Sequence, residues 1–267
     1  MITHRPLPRL AFGLGRASEG VRDLPEEVAV ALSYNGSTRA VMMASPADLI
    51  DFAYGFSFTE GIATAEEIED VQIVASNLGI DLQIWLHDRA EARQAARRRT
   101  MAGPVGCGLC GIDSLEEAQR TPRRIHDQSF TLSPSMVRTA MAALTDHQPL
   151  HDATHAAHAA GFWTASAGMV AVREDVGRHN ALDKLIGALR GQSAGALVLT
   201  CRTSIDMVQK AAAAGFPVII AASAPTAAAV QAADIAGITL IALARQDHFE
   251  VFTHFARIAP EEAAHVA

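Results

Sequence analysis

The sequence predicts an α/β protein whose N-terminal part is an α+β unit. Three observations carry this. An Asn35-Gly36 dipeptide separates two apolar runs, the strongest short hairpin signal. The pattern changes at Leu132. From there short apolar runs alternate with alanine-rich stretches of helical period, the grammar of strands followed by helices.

Element by element, residues up to about 20 are rich in Pro, Gly and Arg with little periodicity, and read as a tail. Glu27 to Tyr34 and Arg39 to Ala44 are predicted strands. Ser45-Pro46-Ala47-Asp48 then combines an N-cap residue, a proline suited to the first helical turn and an acidic group, so it predicts the start of a helix running to Phe58. Asp70 to Ala75 and Ile80 to His87 predict a second hairpin, followed by a helix carrying Arg89, Arg93, Arg97, Arg98 and Arg99. Ser133-Pro134 opens a helix to about Asp146. After a His-rich connector, strands are predicted at Met169 to Arg173, Ala196 to Thr200, Val218 to Ala222 and Thr239 to Leu243. The alanines of 210 to 236 fit tight helix packing.

Composition narrows the function. At 267 residues the chain buries a core without staples. Three cysteines and an N-terminal stretch without a signal pattern point to a reducing cytoplasm, and no apolar run approaches a membrane span. A formal charge of −7 argues against general nucleic-acid binding, which rests on clustered Lys and Arg. The arginine helix is the local exception: it is a solvated face or a receiver for an acidic partner or a phosphate.

Two of the three cysteines lie in Gly106-Cys107-Gly108-Leu109-Cys110-Gly111. Flanking glycines remove side-chain cover and permit positive φ, so thiolates here are open to another molecule. The pair fits half a zinc site, a dithiol redox couple or a sulfur-carrying nucleophile. Zinc would need further donors, for which His151, His155 and His158 are candidates, with His155 and His158 on one face if the connector is helical. No H-x-E with P-C-x-x-C, the zinc-deaminase signature, is present.

Three predicted strands end at polar junctions: Glu174 to Asn180, Cys201 to Ser204 and Ser223 to Thr226. In open α/β sheets ligands bind at that edge, where helix N-termini offer unpaired N–H groups. His179 shares its segment with Asp175, Arg178, Asn180, Asp183 and Lys184. Helical spacing places Asp183 one turn beyond His179, and Lys184 one turn beyond Asn180. Such density next to a helix start suits phosphate, guanidinium or carboxylate recognition, or an internal ion network.

The Cys-Gly-Leu-Cys-Gly loop and Glu174-Asp175-Val176-Gly177-Arg178-His179-Asn180-Ala181-Leu182-Asp183-Lys184 together resemble the FdhD/NarQ family. Tyr34 to Gly36, Ser45 to Ile62, Met207 to Val218 and Ser223 to Thr226 look like that family's blocks in its order, over about residues 25 to 255. The resemblance implies a sulfur carrier, a sulfurtransferase, needed for formate dehydrogenase activity. Such a protein takes persulfide sulfur from a cysteine desulfurase and delivers it to the bis(molybdopterin guanine dinucleotide) molybdenum cofactor, which is cargo destined for the dehydrogenase catalytic subunit. It implies Cys107 as the persulfide-bearing nucleophile and Cys110 as its assistant. Guanine-nucleotide contacts would fall to Arg178, His179, Asn180, Arg202, Ser204, Ser223 and Thr226. The family's molybdopterin segment would correspond to Leu243, Ala244, Arg245, Gln246, Asp247 and His248. The implied C-terminal fold is a three-layer α/β/α, cytidine-deaminase-like domain without its zinc, and no structural metal is expected.

The chain departs from the family pattern at Cys201, where Ser-Gly-Arg is usual before the second helix, at His155-Ala156 in place of two glycines, at Asp206 in place of Glu, and at Ile112. The expected organisation is a flexible arm over 1–24, the α+β unit over 25–128 and the α/β/α domain over 129–267. Base rates for symmetric assemblies point to a homodimer. Two rivals remain at this level: a chaperone that holds the cofactor without sulfur chemistry, and a zinc-dependent nucleotide deaminase.

Overall fold

The computed structural model describes residues 1–13, 15–88, 121–126 and 129–259. Cys107, Cys110, Ile112 and the five arginines of the predicted helix lie outside these residues.

Residues 1–24, expected as an arm without regular structure, instead hold a ribbon. β1 (His4–Gly13) pairs antiparallel with β2 (Arg16–Pro25), from His4 opposite Pro25 to Gly13 opposite Arg16. Most of its side chains are exposed, so no apolar alternation marks the strands. Pro6 and Pro8 are two apart and place their missing N–H on the same open edge, which a strand tolerates. Arg22 Nη2 ties the ribbon's base to the carbonyl of Thr154 at 3.4 Å.

The α+β unit follows. β3 (Val28–Tyr34) and β4 (Ser37–Ala44) are joined through Asn35 and Gly36, both at positive φ (47° and 79°), as a two-residue hairpin turn requires. α1 (Leu49–Thr59) leads through a 3₁₀ turn at Ala65–Glu67 to β5 (Ile68–Ser76) and β6 (Gly79–Leu86). The sheet order is β4-β3-β6-β5, with β3 and β6 parallel. Val30, Leu32, Leu82 and Ile84 from one sheet face pack on Phe52 and Phe56 of α1.

The Ser45-Pro46-Ala47-Asp48 signal has a different use from the one expected. α1 opens at Leu49, its cap residue Asp48 is left-handed (φ 52°), and no side chain caps the helix. Ser45 faces the C-terminal domain, where it has stronger partners than a helix end.

In that domain α2 (Pro134–Thr145) is capped by Ser133, whose Oγ accepts from the Met136 N–H. α3 (Pro149–Thr154), β7 (His158–Thr164) and β8 (Gly168–Asp175) come next. α4 (Arg178–Leu189), β9 (Ala196–Leu199), α5 (Ile205–Ala214), β10 (Val218–Ala221), α6 (Ala227–Ala236), β11 (Thr239–Ala242) and the short β12 (Glu250–Val251) complete it. β7 occupies the end of the His-rich connector, where no strand was expected. The sheet order is β12-β11-β10-β9-β7-β8, with β9, β10 and β11 parallel.

Strand side chains alternate between two cores. Leu197, Leu199, Ile219 and Leu240 meet Leu182, Leu185, Val208, Ala211 and Ala233 of α4, α5 and α6. Val198, Val218, Ile220 and Ile241 meet Val137, Ala140 and Leu144 of α2. Helices therefore cover both faces, giving three layers, with small alanines letting α5 and α6 sit close.

The two units share a tight joint where α1 crosses α4. Lys210 Nζ of α5 bonds Asp183 at 2.9 Å, Glu60 at 2.8 Å and Thr59 Oγ1 at 2.9 Å, and Thr59 also donates to Asp183. Arg190 stacks its guanidinium 3.3 Å from the centroid of Tyr54.

Candidate functional site

The parallel strands β9, β10 and β11 end on one edge of the sheet, and α5 and α6 begin there. β8 ends at that edge too and hands over to α4. His158 is brought in by its pairing with Asp175, and Ala160 by its pairing with Leu199. The edge thus gathers the starts of three helices, each of ten or more residues, with the partial positive charge of their N-termini.

Arg178 and His179 open α4. His179 Nε2 bonds Asp206 Oδ2 from the first turn of α5. The partner one turn along, Asp183, is turned away toward Lys210. Burial alone would raise the Asp206 carboxyl, but hydrogen bonds from His179 and Ser204 outweigh it and hold that carboxyl far below its ordinary range. Asp206 therefore stays ionised and fixes the imidazole ring through Nε2.

Buried polar atoms without a protein hydrogen bond cluster here. Among the described residues they include Arg178 Nε and Thr203 Oγ1. Ser204 is the N-cap residue of α5 yet makes no side-chain cap bond, and Thr203 is fully buried. Native interiors rarely leave such groups unmatched, and Arg178 Nε and Thr203 Oγ1 stand at the starts of α4 and α5, where helix N-termini also present N–H groups.

Other predicted residues are committed elsewhere. Thr226 Oγ1 accepts from the Ala229 N–H and caps α6. Asn180 is buried, and its amide donates to the Met43 carbonyl and to Asp175. Ala244 packs in the core under α2. Arg202 is exposed beside Thr203, and Ser223 is half-buried, its carbonyl facing the Leu243 N–H at 3.5 Å. Leu243 turns left-handed (φ 52°) and starts an exposed turn, closed by Arg245 N–H to His248 O at 2.8 Å, that carries Arg245, Gln246, Asp247 and His248. These residues rim the edge.

Cys201 is buried in the helix-side core. Burial pushes its thiol up to about 11, against the pull of nearby Arg178. A thiol that stays protonated and covered is packing, so Cys201 fills space in that core.

The connector histidines do not form the helix face that zinc would use. His155 ends α3 in a left-handed conformation (φ 54°), and His158 starts β7. Burial and then the charge of Arg178 hold His158 below its usual range. Among the described residues no group of three or more His, Cys, Asp or Glu is placed to hold a metal.

Sequence reasoning placed Thr203 within the second junction without singling it out, and missed the role of Asp206. Asp206 lies 27 positions from His179, a separation no local period reveals; its place in the first turn of a helix at the same edge was the available signal. An apolar hollow lined by Tyr54, Phe58, Ile186, Leu189 and Phe216 opens beside the other end of α4.

The model of the FdhD/NarQ family matches residues 25–259. The chain belongs to the FdhD/NarQ family. Family members of similar sequence include the sulfur carrier protein FdhD of Agrobacterium fabrum, 51% identical over 96% of both chains, and that of Brucella abortus, 50% identical over 95% of this chain and 96% of its relative. A proposed formate dehydrogenase accessory protein of Desulfotalea psychrophila shares the fold, with a TM-score of 0.74 at 24% identity, over 97% of this chain and all of that one. No helix among the described residues is long and apolar enough to cross a membrane.

Proposed function

We propose that this family member is a sulfurtransferase of the cytoplasm. It accepts persulfide sulfur from a cysteine desulfurase and passes it to the bis(molybdopterin guanine dinucleotide) molybdenum cofactor, as cargo bound for the formate dehydrogenase catalytic subunit. The observation that carries this reading is the pair of buried, unmatched donors Arg178 Nε and Thr203 Oγ1 at the helix starts beside His179 and Ser204, in a chain half identical to sulfur carriers along nearly its whole length.

The chemistry follows from thiol exchange. The Cys107 thiolate attacks the outer sulfur of the donor persulfide, the donor S–S bond breaks, and the desulfurase thiolate leaves with the electron pair. Attack of the Cys110 thiolate on the inner sulfur of Cys107 then expels sulfide and leaves a Cys107–Cys110 disulfide, which a thiol reductant reopens. At the edge, helix N-termini and the Arg178 and Arg202 guanidiniums receive the pyrophosphate of a guanine nucleotide, with Ser223 and the 243–248 turn on the rim. The three-layer domain serves as a deaminase-like scaffold without zinc chemistry.

The test is intact mass and peptide mapping after incubation with a cysteine desulfurase and cysteine. Cys107 is expected to gain one sulfur atom that a reductant removes. No gain with an accessible Cys107 would overturn the carrier reading in favour of a holding chaperone.

A further inference from the structure

The segment that carries Arg178 and His179 is held from outside its own domain. Asp175, fully buried at the end of β8, takes four donors: on Oδ2 the Ser45 N–H at 3.0 Å and Lys184 Nζ at 2.6 Å, on Oδ1 the Gly177 N–H at 2.7 Å and Asn180 Nδ2 at 3.0 Å. Ser45, itself fully buried, also accepts the Val176 N–H on Oγ at 3.1 Å and Lys184 Nζ on its carbonyl at 2.9 Å. Asn180 donates to the Met43 carbonyl at 2.8 Å. Gly177 lets the turn close, since a Cβ there would lie 2.8 Å from Asn180 Nδ2 and 3.3 Å from Asp175 Oδ1.

Residues 175, 176, 177 and 180, with Lys184, are therefore all tied into one buried knot, and four of its hydrogen bonds are made with Met43 and Ser45 of the N-terminal unit. Arg178 and His179 lie between these fixed points with side chains outside the knot. A joint needing adhesion alone would do as well with apolar contacts, because desolvation cancels most of the gain from a buried ion pair. A fully bonded carboxylate instead fixes geometry.

We propose that Ser45 is a positioning residue for the anion edge, so that ligand held by Arg178 and His179 tightens the joint to the N-terminal unit. The inference rests on the reading of that edge as a guanine-nucleotide site. Linkage makes it reciprocal: whatever the joint contributes to ligand affinity, ligand returns to the joint.

The experiment uses the full-length chain with GDP as probe, combining calorimetric titration with amide hydrogen exchange. Bound GDP is expected to slow exchange at the Ser45 and Val176 amides by about tenfold. Ser45→Ala, which removes the acceptor for Val176, is expected to weaken GDP about fivefold, the worth of one hydrogen bond. Wild-type protein that binds GDP with unchanged exchange at both amides overturns the inference and leaves the site reading intact. Wild-type protein that does not bind GDP overturns the site reading itself. Should Ser45→Ala fail to fold, the wild-type exchange comparison decides alone.

Discussion

Gly55 of α1 and Gly187 of α4 meet backbone to backbone. A Cβ on Gly55 would stand 1.7 Å from the Asp183 carbonyl oxygen, and one on Gly187 would stand 1.8 Å from that of Asp51. The obstacles are main-chain atoms of two packed helices, which cannot rotate aside. Gly55→Ala or Gly187→Ala must therefore part the units, and each is expected to destabilise the protein by about 3 kcal/mol or more. Urea denaturation followed by tryptophan fluorescence measures this; a change below about 1 kcal/mol would show that the crossing gives way cheaply.

The ion pair of Lys184 and Asp175 is wholly buried at 2.6 Å. Lys184→Met fills similar space but leaves the carboxylate in the interior with one charge partner fewer. A loss of about 3–5 kcal/mol is expected, as for other broken buried pairs. Lys184→Met with Asp175→Asn is expected to recover part of it, because the uncompensated charge is gone. Equal losses in single and double variants would mean that the pairing itself contributes little.

How much of this was written in the sequence depends on the range of each interaction. β9, β10 and β11 are legible because a fully buried strand is a short β-branched or leucine run, and Asn35-Gly36 is legible because a two-residue turn has local backbone demands. β7 escaped notice because its run starts at a histidine and continues through small residues. The β1–β2 ribbon escaped because strands with neither face buried leave no hydrophobic period. At the edge, the junctions after β8, β9 and β10 could be placed from the pattern alone. The partners could not. Ser45 meets Val176 across 131 positions and His179 meets Asp206 across 27, so local rules assigned Ser45 to a helix cap and His179 to Asp183.

The His179–Asp206 pair should leave a signature in acid. The folded-state value of Asp206 lies below its unfolded value, so its contribution is present above the unfolded pKa of about 4 and is lost as pH falls toward the depressed value. Wild-type urea midpoints are expected to drop more steeply between about pH 4 and pH 2 than those of Asp206→Asn. Parallel profiles would remove the pair from the acid response.

Cys201 offers a control for sulfur chemistry. Its thiol is covered and pushed up to about 11, so it is expected to resist alkylation at neutral pH until the protein unfolds. Cys201→Ala creates a small void and should cost about 1 kcal/mol. Sulfur loading of Cys107, read by intact mass, should be unchanged. Loss of loading in a folded Cys201→Ala protein would place the third cysteine in the transfer path.

Arg178 separates stability from binding. Its Nε is buried without a protein partner, so the free protein gains little from this donor, and Arg178→Met is expected to leave the free protein at least as stable as wild type. Removing the guanidinium also takes away a charge that depresses His158, whose titration, followed by NMR, should move upward. GDP affinity should fall about tenfold or more, since a lost charge-assisted contact to phosphate is worth about 1.5–3 kcal/mol. An upward shift at His158 with unchanged GDP affinity would show that the substitution reached the edge and that the nucleotide does not use Arg178.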